Sequence, residues 1–291
     1  MKDINQENEF EVGAASVGSE SAWSEQVEME AWLDLFAAAP EEFATRAGLK
    51  FDFSGEYALF AVRSSPYTLF NRALGMGVSS TVNESSVDHA IAWLDQFGGS
   101  VWSVPVPRGM SEHDLNRWLP AKGLAKSEAS IARFHFESAQ PDVLECPYEV
   151  RVVGADKRAD FGETLRNAFG MDEGFDTWFG SLPGRPRWTT YVAYDGEAPA
   201  ATGALFVRGD LAWMGCGATL PEYRGKGAQS ALLARRVADA MNLGATRITI
   251  ETGFDAKQSP NQSHRNVLRA GFDLSYIRHE YQSTSGAIDA Q

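Results

Sequence analysis

Apolar residues in the second half of the chain recur at the spacing of short strands. Between residues 188 and 219, three such runs are separated by the turn pairs Asp195-Gly196 and Gly209-Asp210, and links this short are typical of hairpins. Strands that are joined by hairpins pair antiparallel. The pattern therefore predicts an antiparallel meander with strands at 188–194, 200–207 and 211–219.

On both sides of this meander the apolar spacing changes to that of amphipathic helices. One predicted helix, at 228–243, ends at Gly244, and glycine commonly ends helices. Further helices are predicted at 155–169 and 262–269, and further strands at 148–153, 247–251 and 272–281. The alternation of the two element types predicts a mixed α/β fold.

The first half of the chain carries a weaker form of the same pattern. It predicts helices at 24–39 and 83–97, a short helix after Ser111, and strands at 57–62, 101–106 and 130–136. The run from Leu115 to Phe136, a helix, a glycine turn and a strand, resembles the run from His264 to Tyr281. This internal similarity favours two copies of one unit.

The patterns divide the chain into four predicted segments. Residues 138–147 contain two prolines and no periodicity, so the boundary between two domains is placed there. The prediction is a disordered lead at 1–22, a first domain at 23–140, a second domain at 148–283 and a flexible tail at 284–291.

Composition narrows the classes of function. The net charge is −13 and the chain has no cluster of Lys and Arg, which argues against nucleic-acid binding. No apolar run is long enough for a membrane span, and a negative field favours cationic partners such as amines. Cys146 and Cys216 are far apart and form no metal-type spacing. We therefore expect reduced thiols, a cytoplasmic location, and no metal, nucleic-acid or membrane partner.

The segment with the clearest chemistry is PEYRGKGAQS at 221–230, between a predicted strand and a predicted helix. Gly225 and Gly227 allow the backbone to approach a ligand closely. The first N–H groups of the following helix have no partner within the helix, and they lie at its positive end. Together with Arg224 and Lys226 they predict a site for a diphosphate.

Three kinds of phosphate loop compete for this segment. A Walker loop requires four residues between its glycines and a following Gly-Lys-Ser/Thr, which is absent here. A dinucleotide loop fits better, because residues 225–230 read G-x-G-x-x-S and Glu251 lies near the expected distance. However, Ser230 replaces the third glycine, and the preceding strands form a meander.

The third kind fits best. The segment resembles the coenzyme A (CoA) loop of the GNAT N-acetyltransferase superfamily, whose pattern is R/Q-x-x-G-x-G/A after the fourth strand. Arg224 and Gly227 fill its first two specified positions, and Gln229 stands at the last. The family's later signature, an Asn-containing loop, a short helix and Gly-Phe, is similar to residues 261–272. The resemblance covers about residues 148 to 283.

The resemblance implies acetyl-CoA as co-substrate. In the family, backbone groups of the fourth strand pair with pantetheine, the loop binds the diphosphate, and the fourth and fifth strands splay apart around the thioester. The implied cofactor-binding residues here are Gly217, Ala218, Thr219, Arg224, Gly225, Lys226, Gly227, Ala228, Gln229, Ser230, Asn261 and Asn266.

Glu251 and Tyr276 are the candidates for proton transfer. Glu251 ends an apolar strand and is the candidate general base; the alternative is a carboxylate that pairs with a neighbouring arginine. Many family members protonate the leaving thiolate with a Tyr at the position of Val267. Here Tyr276 is the candidate replacement, with Ser263 or water as alternatives.

The resemblance also implies the architecture: two GNAT-like domains, each with a mostly antiparallel central sheet flanked by helices. Residues 72–77 match the letters R-x-x-G-x-G, but five residues separate them from the next predicted helix. These glycines cannot place a helix N-terminus on a phosphate, so the first domain is interpreted as a degenerate copy.

The sequence therefore predicts an N-acetyltransferase that acts on an amine of a small molecule or peptide, as a monomer or homodimer. Two alternatives remain: a catalytically silent CoA-binding module, and a nicotinamide-dependent oxidoreductase.

Overall fold

The protein is described by a computed structural model that covers residues 21–78, 82–136, 146–255 and 261–283. The predicted tail, most of the predicted lead and most of the predicted domain boundary lie outside the described residues.

The described residues form eight α-helices and eleven strands. The helices are α1 (Ala22–Ala37), α2 (Glu41–Ala47), α3 (Glu84–Phe97), α4 (Glu112–Ala121), α5 (Arg158–Phe169), α6 (Phe175–Phe179), α7 (Ala228–Asn242) and α8 (Gln262–Arg269). The strands are β1 (Leu49–Phe53), β2 (Ala58–Val62), β3 (Arg72–Leu74), β4 (Ser103–Val106), β5 (Ala125–Phe136), β6 (Glu149–Val153), β7 (Trp188–Asp195), β8 (Ala198–Arg208), β9 (Leu211–Thr219), β10 (Arg247–Asp255) and β11 (Asp273–Gln282).

All these strands join one sheet, in the order β1-β2-β3-β4-β11-β5-β10-β9-β8-β7-β6. The neighbours pair antiparallel, except for β3 with β4 and β9 with β10, which are parallel. The predicted mixed α/β fold with a mostly antiparallel sheet is therefore confirmed.

The two halves exchange their last strands. β5, from the first half, lies between β10 and β11, and β11 pairs with β4 of the first half. The expectation of one separate sheet for each domain is corrected to one continuous sheet. The sequence indicates that β5 and β11 are strands, but alternation of side chains does not specify the partner of a strand.

Helices cover both faces of the sheet. On one face, α1, α2, α5 and α6 share a single apolar core with strands of both halves. On the other face, α7 and α8 cover the second half, while α3 and α4 cover the first. Because α1 is enclosed by both halves, its acidic residues Glu25, Glu28 and Glu30 are buried together with its apolar ones.

Candidate functional site

The two strands at the centre of the site separate from each other. β9 and β10 pair in parallel from Leu211 with Arg247 as far as Met214 with Ile250. Beyond this point β9 stays on β8, and β10 continues on β5. The predicted splay between the fourth and fifth strands of the second half is thus confirmed, and it opens a slot in the sheet.

A bulge in β9 shapes the edge of this slot. Cys216 has a positive φ of 52°, and the register with β8 shifts between Thr202 and Ala204. The Thr202 hydroxyl donates to the carbonyl of Cys216 at 2.9 Å, and Nη1 of Arg236 donates to the carbonyl of Gly215 at 3.0 Å. These bonds satisfy carbonyl groups that the bulge removes from the regular ladder.

A groove of about 570 Å³ runs from the slot to the N-terminus of α7. It is lined by ten of the twelve predicted cofactor-binding residues: Gly217, Ala218, Thr219, Arg224, Gly225, Gly227, Ala228, Gln229, Ser230 and Asn266. Gly225 and Gly227 have positive φ values of 78° and 88°, which glycine adopts without strain. A Cβ on Gly225 would meet no atom within 4 Å. The loop is therefore open to a ligand and suits a diphosphate.

The other two predicted residues lie beside the groove. Lys226 places its ammonium group 5.8 Å from the centre of the Tyr223 ring. Asn261 caps α8: its Oδ1 accepts from the amide of His264 at 2.9 Å, and its Nδ2 donates to the carbonyl of Gly253 at 2.7 Å. Asn261 thus holds the start of α8 against β10.

Gln229 lies at the junction of the groove and the slot. Its Nε2 donates to the carbonyl of Ala218 at 2.9 Å and to the hydroxyl of Thr219 at 3.0 Å. The side chain therefore lies along the part of β9 that the resemblance assigns to pantetheine. Gly or Ala, which the family pattern specifies here, would leave this part of the strand open.

A second cavity, of about 290 Å³, adjoins the groove. Five residues line both spaces: Phe169, Gly217, Gln229, Ser263 and Asn266. The cavity reaches from the slot towards α1 and the segment Thr68–Phe70 of the first half.

Glu251 of β10 lines this second cavity. Its Oε2 accepts hydrogen bonds from Arg133 and Arg278, both at 2.9 Å, and its side chain is 14% exposed. Burial raises the pKa of the Glu251 carboxyl, and the nearby Glu28 raises it further, although the two arginines act against this. The predicted candidate base thus lies at the site, and it is also paired with arginines.

Behind Glu251 lies a fully buried ionic cluster. Glu28 of α1 bonds Arg72 at 3.2 Å, Arg133 at 2.5 Å and Arg278 at 2.7 Å. Burial alone would raise the pKa of Glu28, but the three arginines hold it well below its usual range. Two residues of the cluster, Arg133 and Arg278, also hold Glu251, so the cluster fixes the carboxylate in the cavity.

Tyr276, the second candidate catalytic residue, belongs to this cluster. Its hydroxyl donates to Glu25, and burial raises its pKa well above the usual value. Tyr276 is not among the described residues that line the groove or the second cavity. Ser263, the alternative source of a hydroxyl, lines both.

The residues that sequence reasoning missed are Arg236 and five members of the cluster: Glu25, Glu28, Arg72, Arg133 and Arg278. One signal for the cluster was present in the sequence: Glu25 and Glu28 lie three residues apart, and so on one side of a helix that is otherwise apolar there. Acids in such a helix require buried partners.

The corresponding loop of the first half is filled by its own side chains. A Cβ on Gly75 would lie 2.8 Å from Sδ of Met29, and a Cβ on Gly77 would lie 2.7 Å from Cβ of Ser111. Neighbouring side chains thus occupy the space beside these two glycines.

The described ranges hold neither a candidate membrane span nor a candidate metal site. No helix there has the length and apolar character of a membrane span. In the same residues, no group of three or more His, Cys, Asp or Glu side chains could hold a metal ion.

Comparison with solved structures shows that the whole architecture recurs. A GCN5-related N-acetyltransferase from Kribbella flavida is 15% identical, with a TM-score of 0.61 over 94% of this chain and 98% of that one. A GCN5-related N-acetyltransferase from Sphaerobacter thermophilus is 16% identical, with a TM-score of 0.55 over 73% of this chain and 71% of that one. A tandem GNAT protein from the clavulanic acid biosynthesis pathway is 13% identical, with a TM-score of 0.55 over 92% and 98%. At these identities the likeness concerns the fold.

Comparison with curated proteins gave no match. The family model of the acetyltransferase (GNAT) family matches residues 158–272. This span runs from α5 to Phe272 and so includes β9, the loop at 221–230, α7 and Glu251. Residues 158–272 therefore form a domain that matches the acetyltransferase (GNAT) family.

Proposed function

We propose that this protein transfers an acetyl group from acetyl-CoA to an amine of a small molecule or peptide. The observation that carries the proposal is the connection between two spaces. A groove that ends at the N-terminus of α7 adjoins, at the slot between β9 and β10, a cavity lined by Glu251, and five residues line both spaces.

The groove fits a molecule with a diphosphate and a long polar arm. Gly225 and Gly227 form the open loop at the positive end of α7, which suits the diphosphate. Gly217 to Thr219 of β9 and Asn266 of α8 also line the groove. Acetyl-CoA supplies the activated thioester, and the chain contributes mainly by holding an amine next to it.

Glu251 is proposed to accept a proton from the amine. A base needs a position beside the reacting nitrogen and a pKa that approaches the working pH. Glu251 lines the second cavity, and its pKa is raised by burial. As the amine nitrogen forms its bond to the carbonyl carbon, the carbon–sulfur bond breaks and the released proton goes to Glu251. The thiolate takes up a proton through the hydroxyl of Ser263, which lines both spaces and is reprotonated from solvent.

The first half is proposed to be a degenerate copy that now serves the second. The order α3-β4-α4-β5 matches the order α7-β10-α8-β11, and the two halves exchange equivalent last strands. Its own loop is filled, and it supplies α1 and residues 69–70 to the second cavity.

A CoA-binding module without catalysis is the second candidate. One observation in its favour is that the Gln229 amide donates a hydrogen bond to the carbonyl of Ala218, which pantetheine would otherwise use. Another is that Tyr276 bonds Glu25 and is not among the residues that line the groove or the second cavity. Such a module would bind CoA and acetyl-CoA equally well and release no thiol.

The test is Gly227→Glu, with Gly244→Glu as the matched control. Both glycines flank α7 and have positive φ, 88° and 92°, but only Gly227 lines the groove. We expect Gly227→Glu to abolish binding of acetyl-CoA in calorimetry, because the glutamate carboxylate would occupy the space where the diphosphate binds. Gly244→Glu should still bind acetyl-CoA. The proposal fails if the unmodified protein binds no acetyl-CoA, or if it binds but releases no thiol with any of a panel of small amines and peptide N-termini.

A further inference from the structure

The second cavity has walls from both halves of the chain. From the first half, α1 contributes Trp32 and Leu35, and the segment that follows β2 contributes Leu69 and Phe70. From the second half, Phe179 and Trp213 face the same space. These six side chains form a wall with four aromatic rings, which favours an apolar ligand.

Three ionisable groups line the cavity in the described residues: Glu251, Arg236 and Cys216. Arg236 is fully buried and donates to three backbone carbonyls, those of Leu232, Ala204 and Gly215. These bonds hold it on the α7 side of the sheet. Desolvation raises the pKa of the Cys216 thiol to about 12, so this group is neutral at ordinary pH. Glu251 is thus the acid that an incoming ligand meets.

The cavity has room for a ring-sized group. At the roughly 30 Å³ that a water molecule takes in the liquid, a volume of about 290 Å³ holds about ten non-hydrogen atoms. That corresponds to an aromatic ring, or a branched apolar group of similar size, with a short chain attached.

Building on the proposed function, we propose that the acceptor is a primary amine joined by a short linker to an apolar, ring-sized body, without a carboxylate. The aromatic wall binds the body, and the amine lies at the slot beside Glu251. An acceptor with its own carboxylate would place a second negative charge next to Glu251 in a poorly solvated space, which is unfavourable. A polar amine would leave the aromatic wall unfilled.

The experiment compares matched acceptors with acetyl-CoA as donor. 2-Phenylethylamine has the proposed features, phenylalanine adds a carboxylate to the same body, and ethanolamine lacks the ring. We expect kcat/KM for 2-phenylethylamine to exceed that for either of the others by about tenfold or more, as apolar pockets discriminate. Calorimetry of 2-phenylethylamine with the CoA-saturated protein provides a readout that does not depend on turnover.

A variant of the cavity wall tests the location. Leu69 is 37% exposed and lines the cavity, whereas Leu268 is 43% exposed and is not among its lining residues. Leu69→Lys puts a charged group into the wall that binds the apolar body and is expected to weaken binding of 2-phenylethylamine while acetyl-CoA still binds. Leu268→Lys should change neither.

The outcomes separate this inference from the proposed function. Absence of acetyl-CoA binding would end the proposed function itself. Absence of thiol release with every amine of the panel would end it as well. With acetyl-CoA bound and thiol released, the inference alone is overturned if phenylalanine or ethanolamine is the better acceptor, or if Leu69→Lys leaves amine binding unchanged. It is also overturned if hexanoyl-CoA is preferred to acetyl-CoA, because the cavity would then hold the acyl chain.

Discussion

Glu28 of α1 and Glu251 of β10 are bound by the same two arginines, Arg133 and Arg278. The two arginines come from β5 and β11, the strands that the halves exchange. A carboxylate at the site of the second half is therefore positioned through a helix and a strand of the first half. The connection gives a physical reason for the two halves to act as one unit.

Replacing Glu28 with glutamine should strongly destabilise the fold. The change leaves Arg72, Arg133 and Arg278 without their common partner in a buried position. Removing one member of a buried ionic cluster typically costs about 3–5 kcal/mol of unfolding free energy. Urea denaturation followed by tryptophan fluorescence measures the change.

A surface pair provides the control for this variant. Glu42 and Arg46 lie one turn apart on α2 with side chains 91% and 58% exposed, and such pairs contribute about 0.5 kcal/mol or less. Glu42→Gln should therefore unfold at nearly the same urea concentration as the unmodified protein. An equal decrease in the free energy of unfolding in both variants would show that the cluster does not stabilise the fold.

The same glutamate gives stability a pH dependence with a defined sign. The pKa of Glu28 is lower in the folded protein than in the unfolded chain, so the unfolded state binds its proton first as the pH falls. The contribution of Glu28 to the free energy of unfolding is therefore fully present above its pKa of 4.5 in the unfolded chain. It decreases as the pH falls below that value. The slope of unfolding free energy against pH between about 5 and 3 should be smaller in Glu28→Gln.

The sequence predicted much of the site because the loop carries its own signal. Gly225, Gly227 and the start of α7 are adjacent in the chain, so spacing alone indicates that they act together. Local sequence patterns also predicted the bounds of β9 and α8, at 211–219 and 262–269, which agree with the structure.

The parts that escaped prediction depend on contacts between distant residues. The bonds of Arg133 to Glu28 and Glu251 span 105 and 118 positions, and no local pattern indicates them. The short elements α2, β1 and β3 were also missed, since they contain seven residues or fewer and show little periodicity. The sequence predicted α1 as a helix, but it did not indicate that the acidic residues of α1 are buried.

Glu251→Gln should lower the rate of acetyl transfer and leave cofactor binding intact. Loss of a general base typically lowers kcat by about 10²–10⁴-fold. Because a base acts in its deprotonated form, the rate of the unmodified protein should fall as the pH drops through the raised pKa of Glu251. The variant should lose this dependence while calorimetry still detects acetyl-CoA. A kcat within about threefold of the original would exclude Glu251 as the base.

Tyr276→Phe and Ser263→Ala separate the two hydroxyl candidates for the acid. The Tyr276 hydroxyl faces Glu25 inside the ionic cluster, whereas Ser263 lines both the groove and the second cavity. We expect Tyr276→Phe to reduce stability but keep the rate per folded molecule, and Ser263→Ala to reduce kcat. The reverse result, measured by thiol release at equal folded concentration, would assign the acid to Tyr276.

Gln229→Ala should bind CoA more tightly than the unmodified protein. In the structure the Gln229 amide donates to the carbonyl of Ala218 and to the hydroxyl of Thr219, and so lies along the strand that pantetheine would pair with. Alanine at this position leaves the strand free. A hydrogen bond of this kind contributes about 1 kcal/mol, so its removal from the free protein corresponds to about a fivefold lower Kd in calorimetry.

Because the adjacent Ser230 also lines the groove but has no such bond to β9 among the described contacts, Ser230→Ala is the matched control and should show no gain in affinity. Weaker binding by Gln229→Ala would mean instead that Gln229 turns to contact the cofactor, and the departure from the family pattern at this position would then be an adaptation for binding.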